Sequence, residues 1–179
     1  MTLDISPILS GKTSALSFDF TVTPDASMAT PPAGAFLTAP IEVHAAFVSA
    51  GITVRLNALA TVSYRAVCDR CTEEFEADFT VPYERYVRDA SAVSSSDETS
   101  DNVIFDGDGK VCIDAEIVEE AMLSFPARLL CRENCLGLCE YCGQNLNIRD
   151  CGCAEREKNR IDPRWEALAS LYADDEGEN

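Results

Sequence analysis

The chain has very little histidine and comparatively little positive charge. His44 is its only histidine, and 14 lysines and arginines stand against 31 aspartates and glutamates, for a net charge of −17. His44 alternates with Val43 and Ala45 as strand residues do, so we expect a structural role for it. The sequence also has no P-loop, no dinucleotide fingerprint and no serine–histidine–aspartate set, so it offers no recognised catalytic motif and we expect no small-molecule substrate. Strong nonspecific binding to nucleic acid is disfavoured, because it requires cations that replace phosphate counterions.

Signals for export and membrane insertion are missing from the sequence as well. The first residues include Asp4 but no basic region followed by an apolar one. Residues 26–54 carry only Glu42 as a charge, but prolines and glycine interrupt them well before a span of about 20 apolar residues is reached. We therefore expect a cytoplasmic protein without a membrane partner, and in that compartment disulfides are rare.

Cysteine, by contrast, is abundant and ordered. Eight of the nine cysteines form four close pairs: Cys68 and Cys71, Cys131 and Cys135, Cys139 and Cys142, Cys151 and Cys153. Zn²⁺ binds four thiolates tetrahedrally at about 2.3 Å, so four pairs predict two structural zinc sites. The alternatives are a disulfide framework, a redox switch that releases zinc on oxidation, and plain buried thiols. The unpaired Cys112 lies between Val111 and Ile113 and is predicted to be a small buried hydrophobic residue.

The spacing of the pairs favours one division of the ligands. The last two pairs are close enough in sequence to form one site with little loss of loop entropy. The first site would then combine Cys68 and Cys71 with Cys131 and Cys135, and would tie a β-hairpin to the C-terminal module. In the alternative division, Cys131 and Cys135 join Cys139 and Cys142.

Period-2 alternation of apolar residues predicts strands over the first two thirds of the chain. The expected strands are Leu16–Val22, Ile41–Phe47, Ile52–Cys68 and Phe75–Val81, with Cys68 and Cys71 at the tip of a hairpin between the last two. Residues 23–40 and 91–102 are predicted to be loops. Short strands at Val103–Phe105 and Val111–Ile113 are predicted to flank a hairpin turn at 106–109.

One helix is predicted to pack on the sheet. Asp114 is expected to be its N-cap, residues from Ile117 to Phe125 supply an apolar stripe, and Pro126 stops it. A short helix at Arg164–Tyr172 and an acidic tail complete the chain. The predicted fold class is α+β: an antiparallel β-sheet or barrel-like body packed by a helix, with a C-terminal cysteine-rich zinc-knuckle module. The corresponding domains are residues 1–113 for the β body, 114–130 for the helix and 131–179 for the metal module.

Basic residues gather near the cysteines. Residues 128–164 hold seven of the 14 basic residues, whereas residues 97–120 hold nine acids and a single lysine. The candidates for contact with RNA or a protein partner are Arg128, Arg132, Arg149, Arg156 and Arg160. Each could instead neutralise nearby acids and thiolates, which is the favoured role for Arg70. The acidic segment could attract a basic protein or simply be solvated.

An ordered series of motifs resembles a known family. It runs from Cys68-Asp69-Arg70-Cys71 through Phe125-Pro126, Leu136-Gly137-Leu138 and Asn145-Leu146-Asn147 to Asp162-Pro163-Arg164-Trp165. From about residue 52 onward, this series is similar to the YceD-type large ribosomal RNA subunit accumulation proteins. Glu140 and Tyr141 depart from the family pattern, which often has proline in this knuckle.

The resemblance implies a non-enzymatic role in making or preserving 23S ribosomal RNA during bacterial ribosome biogenesis. The implied partner is the precursor large subunit, through its RNA, a basic ribosomal protein, or both. A zinc-containing interaction module or transcription-related adaptor without a ribosomal role is the alternative.

Overall fold

The chain forms two compact units. The computed structural model describes residues 1–25, 28–51, 53–89, 102–105 and 108–157. The first unit comprises Met1–Asp69 and Glu73–Cys131, and the second comprises Arg70–Thr72 and the chain from Arg132 onward. Residues 91–101 of the loop predicted at 91–102, the predicted helix at Arg164–Tyr172 and the acidic tail lie outside the described residues. The last residue of that predicted loop, Asn102, instead begins a strand.

The first unit is built on a mainly antiparallel sheet. Its order is β2-β4-β5-β6-β7, with β3 paired to β5, while β1 and β8 form a separate two-stranded sheet. The strands are β1 (Leu3–Asp4), β2 (Ala15–Val22), β3 (Ala35–Leu37), β4 (Ile41–Ala50), β5 (Thr53–Val67), β6 (Glu74–Asp89), β7 (Asn102–Phe105) and β8 (Lys110–Val111). The helices are α1 (Ser6–Leu9), α2 (Asp114–Leu123) and, in the second unit, α3 (Cys153–Glu157).

Strand alternation gives the sheet one inner and one outer face. Along β5, residues from Val54 to Ala66 at even positions are buried, and those at odd positions are exposed or half-buried. β4 alternates in the same way from Ile41 to Phe47, but there the odd-numbered positions are buried. The inner face carries the large buried side chains, including Phe47, Leu56 and Val62. The predicted strands at 16–22, 41–47, 52–68 and 75–81 are therefore confirmed within the described residues, because burial of one face selects a strict two-residue period. The predicted strand Val111–Ile113 is shorter and shifted, since β8 covers Lys110–Val111.

The long β5–β6 hairpin positions the first cysteine pair. Its register is continuous from Val54 opposite Val87 to Val67 opposite Glu74. Cys68 and Cys71 lie in the turn that joins the two strands, so the predicted hairpin with a thiolate pair at its tip is confirmed.

Helix α2 covers the inner face, where it packs against β5 and β6. It buries Ile117, Val118 and Ala121. Just beyond its end, Phe125 lies edge-on to Phe79, with ring centroids 4.8 Å apart. Its predicted N-cap was wrong: Asp114 is the first helical residue, Ile113 precedes it, and neither side chain caps the helix. Asp114 instead contacts the amino group of Met1. A local sequence pattern cannot predict this contact, because the two residues are far apart in the chain.

Other local predictions also need correction. The two strands predicted to flank the turn at 106–109 do not pair with each other, since β7 pairs in parallel with β6 and β8 pairs with β1. Residues 106 and 107 lie outside the described residues. The predicted loop at 23–40 contains β3, and α1 and β1 were not predicted. Cys112 is exposed rather than buried, because the alternation that buries Val111 and Ile113 turns it outward.

The sheet is open rather than barrel-like. Within the described residues, β2 and β7 form its two ends and do not pair with each other. No helix in that part of the chain has the length and apolar character needed to cross a bilayer.

Candidate metal centres

The turn after β5 holds Cys68 and Cys71 in a fixed geometry. The Cys68 N–H donates to the Glu73 carbonyl over 2.9 Å, which closes the turn. Thr72 adopts a φ of 59°, a left-handed conformation that few residues other than glycine take. Its hydroxyl donates to the Cys71 carbonyl over 2.7 Å. Both thiols are almost completely buried, with exposed fractions of 1% and 2%.

Asp69 connects this turn to the segment that follows α2. The Asp69 N–H donates to the Leu129 carbonyl over 2.8 Å. In return, the Leu129 N–H donates to Asp69 Oδ2 over 2.7 Å. This reciprocal pair places Leu129, and therefore Cys131 two residues later, beside the turn.

Arg70 plays a structural part within the second unit. Its guanidinium donates to the Cys135 carbonyl over 2.9 Å, and its own carbonyl accepts from the Leu138 N–H over 3.2 Å. Gly137 has a φ of 77°, and a Cβ added there would lie 3.1 Å from the Arg70 carbonyl oxygen. A glycine is therefore required at this close approach between two backbone segments.

These contacts accompany a first group of four thiols, which we call tetrad 1. The Sγ atoms of Cys68, Cys71, Cys131 and Cys135 all lie within 4.8 Å of one another. Three of the four residues are buried and Cys131 is half-buried, so this group is shielded from solvent.

Asn147 supports tetrad 1 from within the second unit. Its Nδ2 donates to Cys135 Sγ over 3.2 Å, and its Oδ1 accepts from the Leu136 N–H over 2.8 Å. Asn145 Oδ1 in turn accepts from the Asn147 backbone N–H and from its Nδ2, each over 2.9 Å. A donor directed at a thiolate stabilises its negative charge and orients the ligand.

The second group of thiols, tetrad 2, begins in a knuckle. The Cys139 N–H donates to the Gln144 carbonyl over 2.8 Å, and the Gly143 N–H donates back to the Cys139 carbonyl over 2.9 Å. Gly143 has a φ of 72°, which closes this turn. The knuckle forms with Glu140 and Tyr141 between its two cysteines, and both side chains are exposed.

Tetrad 2 is completed at the start of α3. The Sγ atoms of Cys139, Cys142, Cys151 and Cys153 also lie within 4.8 Å of one another. Arg156, one turn along α3, donates to the Cys151 carbonyl over 2.9 Å and lies 3.4 Å from Cys153 Sγ. Tetrad 2 is more accessible than tetrad 1, because only Cys139 is buried and Cys142 is exposed.

The thiols of tetrad 2 differ in acidity. Backbone N–H groups of Cys142 and Tyr141 lower the pKa of Cys139 to about 7. Side-chain hydrogen bonds with Cys151 and then Cys142 raise the pKa of Cys153 to about 12. Without a cation the four thiols therefore ionise unequally, because a first thiolate disfavours a second one close by. A bound cation would remove that penalty.

Both groups fit a tetrahedral metal ion. Bonds of about 2.3 Å to zinc correspond to sulfur–sulfur distances of about 3.8 Å, so sulfurs within 4.8 Å need only a small contraction. No disulfide links the described cysteines. The two tetrads can therefore hold metal ions, and the structure groups the eight sulfurs in the same two sets that the sequence favoured.

The predicted basic residues divide by their contacts. The guanidinium groups of Arg156 and Arg70 donate to backbone carbonyls of the second unit. The side chains of Arg128, Arg132 and Arg149 are exposed. Within the described residues, none of these three guanidinium groups has an ion-pair partner. Arg160 lies outside the described residues.

Sequence reasoning missed two supporting residues. Asn147 and Gly137 belong to the motifs Asn145-Leu146-Asn147 and Leu136-Gly137-Leu138, which were noted only as points of family resemblance. An asparagine between two cysteine pairs could have indicated a hydrogen-bond donor to a thiolate, and a glycine there could have indicated a turn with positive φ.

Comparisons with known proteins agree with the motifs. The family described as "Large ribosomal RNA subunit accumulation protein YceD" matches residues 56–172, a stretch that contains both tetrads. A curated relative is the uncharacterized protein ML1660 of Mycobacterium leprae, 25% identical over 140 residues. That alignment covers 76% of this chain but only 61% of the relative. No solved structure gives a significant match.

Proposed function

Because the chain belongs to the YceD family, we propose that it is a non-enzymatic ribosome-biogenesis factor supporting the synthesis, processing or accumulation of 23S ribosomal RNA. The observation that carries this proposal is the family match over residues 56–172. The family is not a known enzyme family. A four-thiolate metal site also leaves no open coordination position for a substrate, which favours a structural use of both tetrads.

Zn²⁺ is the metal we propose for both tetrads. Soft thiolates in a tetrahedral set select zinc or an iron–sulfur cluster. The paired spacing on tight turns is typical of zinc knuckles, and the family role requires no electron transfer. Metal analysis of purified protein should find two zinc ions per chain, one for each tetrad. Protein prepared without chelator that holds no zinc, or that absorbs visible light as iron–sulfur clusters do, would contradict this assignment.

The proposed partner is the precursor of the large ribosomal subunit in the cytoplasm. Arg132 and Arg149 support direct contact from the second unit, because both are exposed and neither is used in an ion pair with a described residue. Arg128 is exposed in the same way. Arg156 is a weaker candidate, since its guanidinium already binds backbone carbonyls.

Sedimentation tests this proposal. Tagged full-length protein in a lysate should comigrate with precursor large subunits in a sucrose gradient. An adaptor without a ribosomal role would stay near the top of the gradient and refute the proposal.

A charge-reversal pair identifies the contact surface. Arg132→Glu with Arg149→Glu should remove the comigration and leave zinc content unchanged. Lys12→Glu with Lys110→Glu makes the same charge change at exposed sites of the first unit and should leave comigration intact. Comigration that survives the arginine pair would exclude these arginines as the contact.

A further inference from the structure

The outermost strand β2 leaves one edge of the sheet open. It pairs with β4 through eight consecutive positions, from Ala15 opposite Val48 to Val22 opposite Ile41. On its other side, no described strand pairs with it. The free backbone N–H and C=O groups along such an edge can pair with another extended chain.

This edge has few of the features that usually prevent pairing. Protective edges are short, bulged, or carry proline or charged residues, lysine above all. β2 is eight residues long, has no bulge in its register, contains no proline or basic residue, and has Asp19 as its one charged residue. At the other end of the sheet, β7 is only four residues long. The open edge of β2 therefore stands out as the place for strand addition.

A cavity of about 390 Å³ opens on the outer face beside this edge. The side chains of Asp19 and Glu42 line it on two adjacent strands, and Leu59 on β5, 46% exposed, adds an apolar surface. His44 Nδ1 lies 2.5 Å from Asp19 Oδ1, whereas Glu42 has no ion-pair partner among the described residues. An apolar wall with carboxylates at its rim fits a lysine or arginine side chain, which buries its stem and exposes its charge.

The surrounding charge also selects a basic occupant. Exposed carboxylates of the outer face are Asp19, Glu42, Glu74, Glu76, Asp78 and Glu84. The arginines of this face that the structure describes, Arg55 and Arg65, are already paired with Glu84 and Glu76. A second copy of this chain would bring a further net charge of −17, and an RNA phosphate backbone would likewise be repelled.

We propose that β2 and the adjoining cavity bind an extended, lysine- or arginine-containing segment of a partner protein. The segment adds a strand to the sheet at β2 and places one basic side chain between Asp19 and Glu42. Main-chain hydrogen bonds supply affinity that is independent of sequence, and the cavity selects the basic residue. This site is separate from the arginines considered above and does not depend on the ribosomal role.

Peptide titration of the full-length protein tests the proposal. The probe is an eight-residue alternating valine–lysine peptide with blocked ends, which is as long as β2. Its binding is measured from the NMR chemical shifts of the protein's backbone amides at about 150 mM salt. The shifts should concentrate in Ala15–Val22. A matched valine–glutamate peptide should not bind, and a valine–lysine peptide with N-methylated backbone should bind far more weakly.

Paired variants separate a site from general attraction. Asp19→Asn with Glu42→Gln should weaken binding of the lysine peptide by about tenfold, the effect of losing one charge-assisted hydrogen bond. Glu74→Gln with Asp78→Asn, the same charge change elsewhere on the outer face, should change it by less than about twofold. All four side chains are exposed, so folding should be preserved.

Three results would overturn the proposal. One is equal weakening by the two pairs of substitutions, or shifts spread over the whole outer face, which would indicate nonspecific attraction. Another is the absence of any binding at millimolar peptide. The third is a dimer of the peptide-free protein that protects the β2 amides, which would show that a second copy occupies the edge. Loss of comigration with precursor subunits alone would leave this proposal intact.

Discussion

Replacing Asn147 with aspartate should weaken metal binding at tetrad 1 although no ligand is removed. The Asn147 Nδ2 donates to Cys135 Sγ over 3.2 Å, and its Oδ1 accepts from the Leu136 N–H. Aspartate keeps the acceptor for Leu136 but has no donor for the sulfur or for Asn145 Oδ1. It also places a negative charge beside a thiolate, so both changes act against a negatively charged ligand set.

The size of the effect follows from the lost hydrogen bond. A hydrogen bond to a charged group contributes about 1.5–3 kcal/mol. At about 1.4 kcal/mol per tenfold in affinity, Asn147→Asp should lower zinc affinity by about 10–100-fold. Loss of an outer-shell partner in other metal sites has an effect of this order.

Competition with a chromophoric chelator measures the affinity. A Cys142→Ser background removes one ligand of tetrad 2, so that tight zinc binding reports tetrad 1. Asn145→Asp is the matched control, because it adds the same charge two residues away and keeps the acceptor that Asn147 uses. Equal losses in the two variants, or an unchanged affinity in Asn147→Asp, would refute the role assigned to this donor.

Four further perturbations have defined outcomes. A chelator should remove the metal of tetrad 2 before that of tetrad 1, because tetrad 2 is more exposed, and stopped-flow release with either tetrad disabled will show the order. Gly137→Ala should cost about 1–3 kcal/mol in the free energy of unfolding, and more than Gly143→Ala, since of these two glycines Gly137 alone has another atom within 4 Å of the new Cβ. Phe125→Ala should cost about 2–4 kcal/mol in urea unfolding, because its ring lies within 5.1 Å of two aromatic neighbours. Burial raises the pKa of Tyr83 to about 12, so its contribution to stability is complete below about pH 10 and is lost as pH rises through 12. Tyr83→Phe should therefore lose less unfolding free energy than the unchanged protein between pH 10 and 12.

The sequence predicted the parts of the fold that a short-range pattern controls. β4 and β5 were predicted because one buried face imposes a two-residue period along each strand. Tetrad 2 could be predicted from the sequence for a similar reason. Cys139 and Cys151 are close in sequence, and Gly143 and Gly152 both adopt positive φ at the turns between the ligands. Here local geometry alone brings the thiols together.

Features that depend on distant contacts were not predicted. β8 pairs with β1 at the opposite end of the first unit's sequence, and no periodicity in Lys110–Val111 identifies Leu3–Asp4 as its partner. The N-cap at Asp114 failed because its carboxylate contacts Met1 instead. The reciprocal hydrogen bonds of Asp69 and Leu129, which place Cys131 near the hairpin tip, likewise join residues that are remote in sequence.

The position of Cys68 and Cys71 at the tip of the β5–β6 hairpin also matters during biosynthesis. The two thiols leave the translating ribosome well before Cys131 and Cys135, and at about 5–20 residues per second the interval lasts several seconds. A hairpin can form within microseconds, so the tip is shaped while half of its ligand set has not yet been made. During that interval the nascent chain carries two unshielded thiols that can be oxidised or can bind a wrong metal. Slowing elongation between the codons for Cys71 and Cys131 should therefore lower the yield of protein that carries the correct metal at tetrad 1.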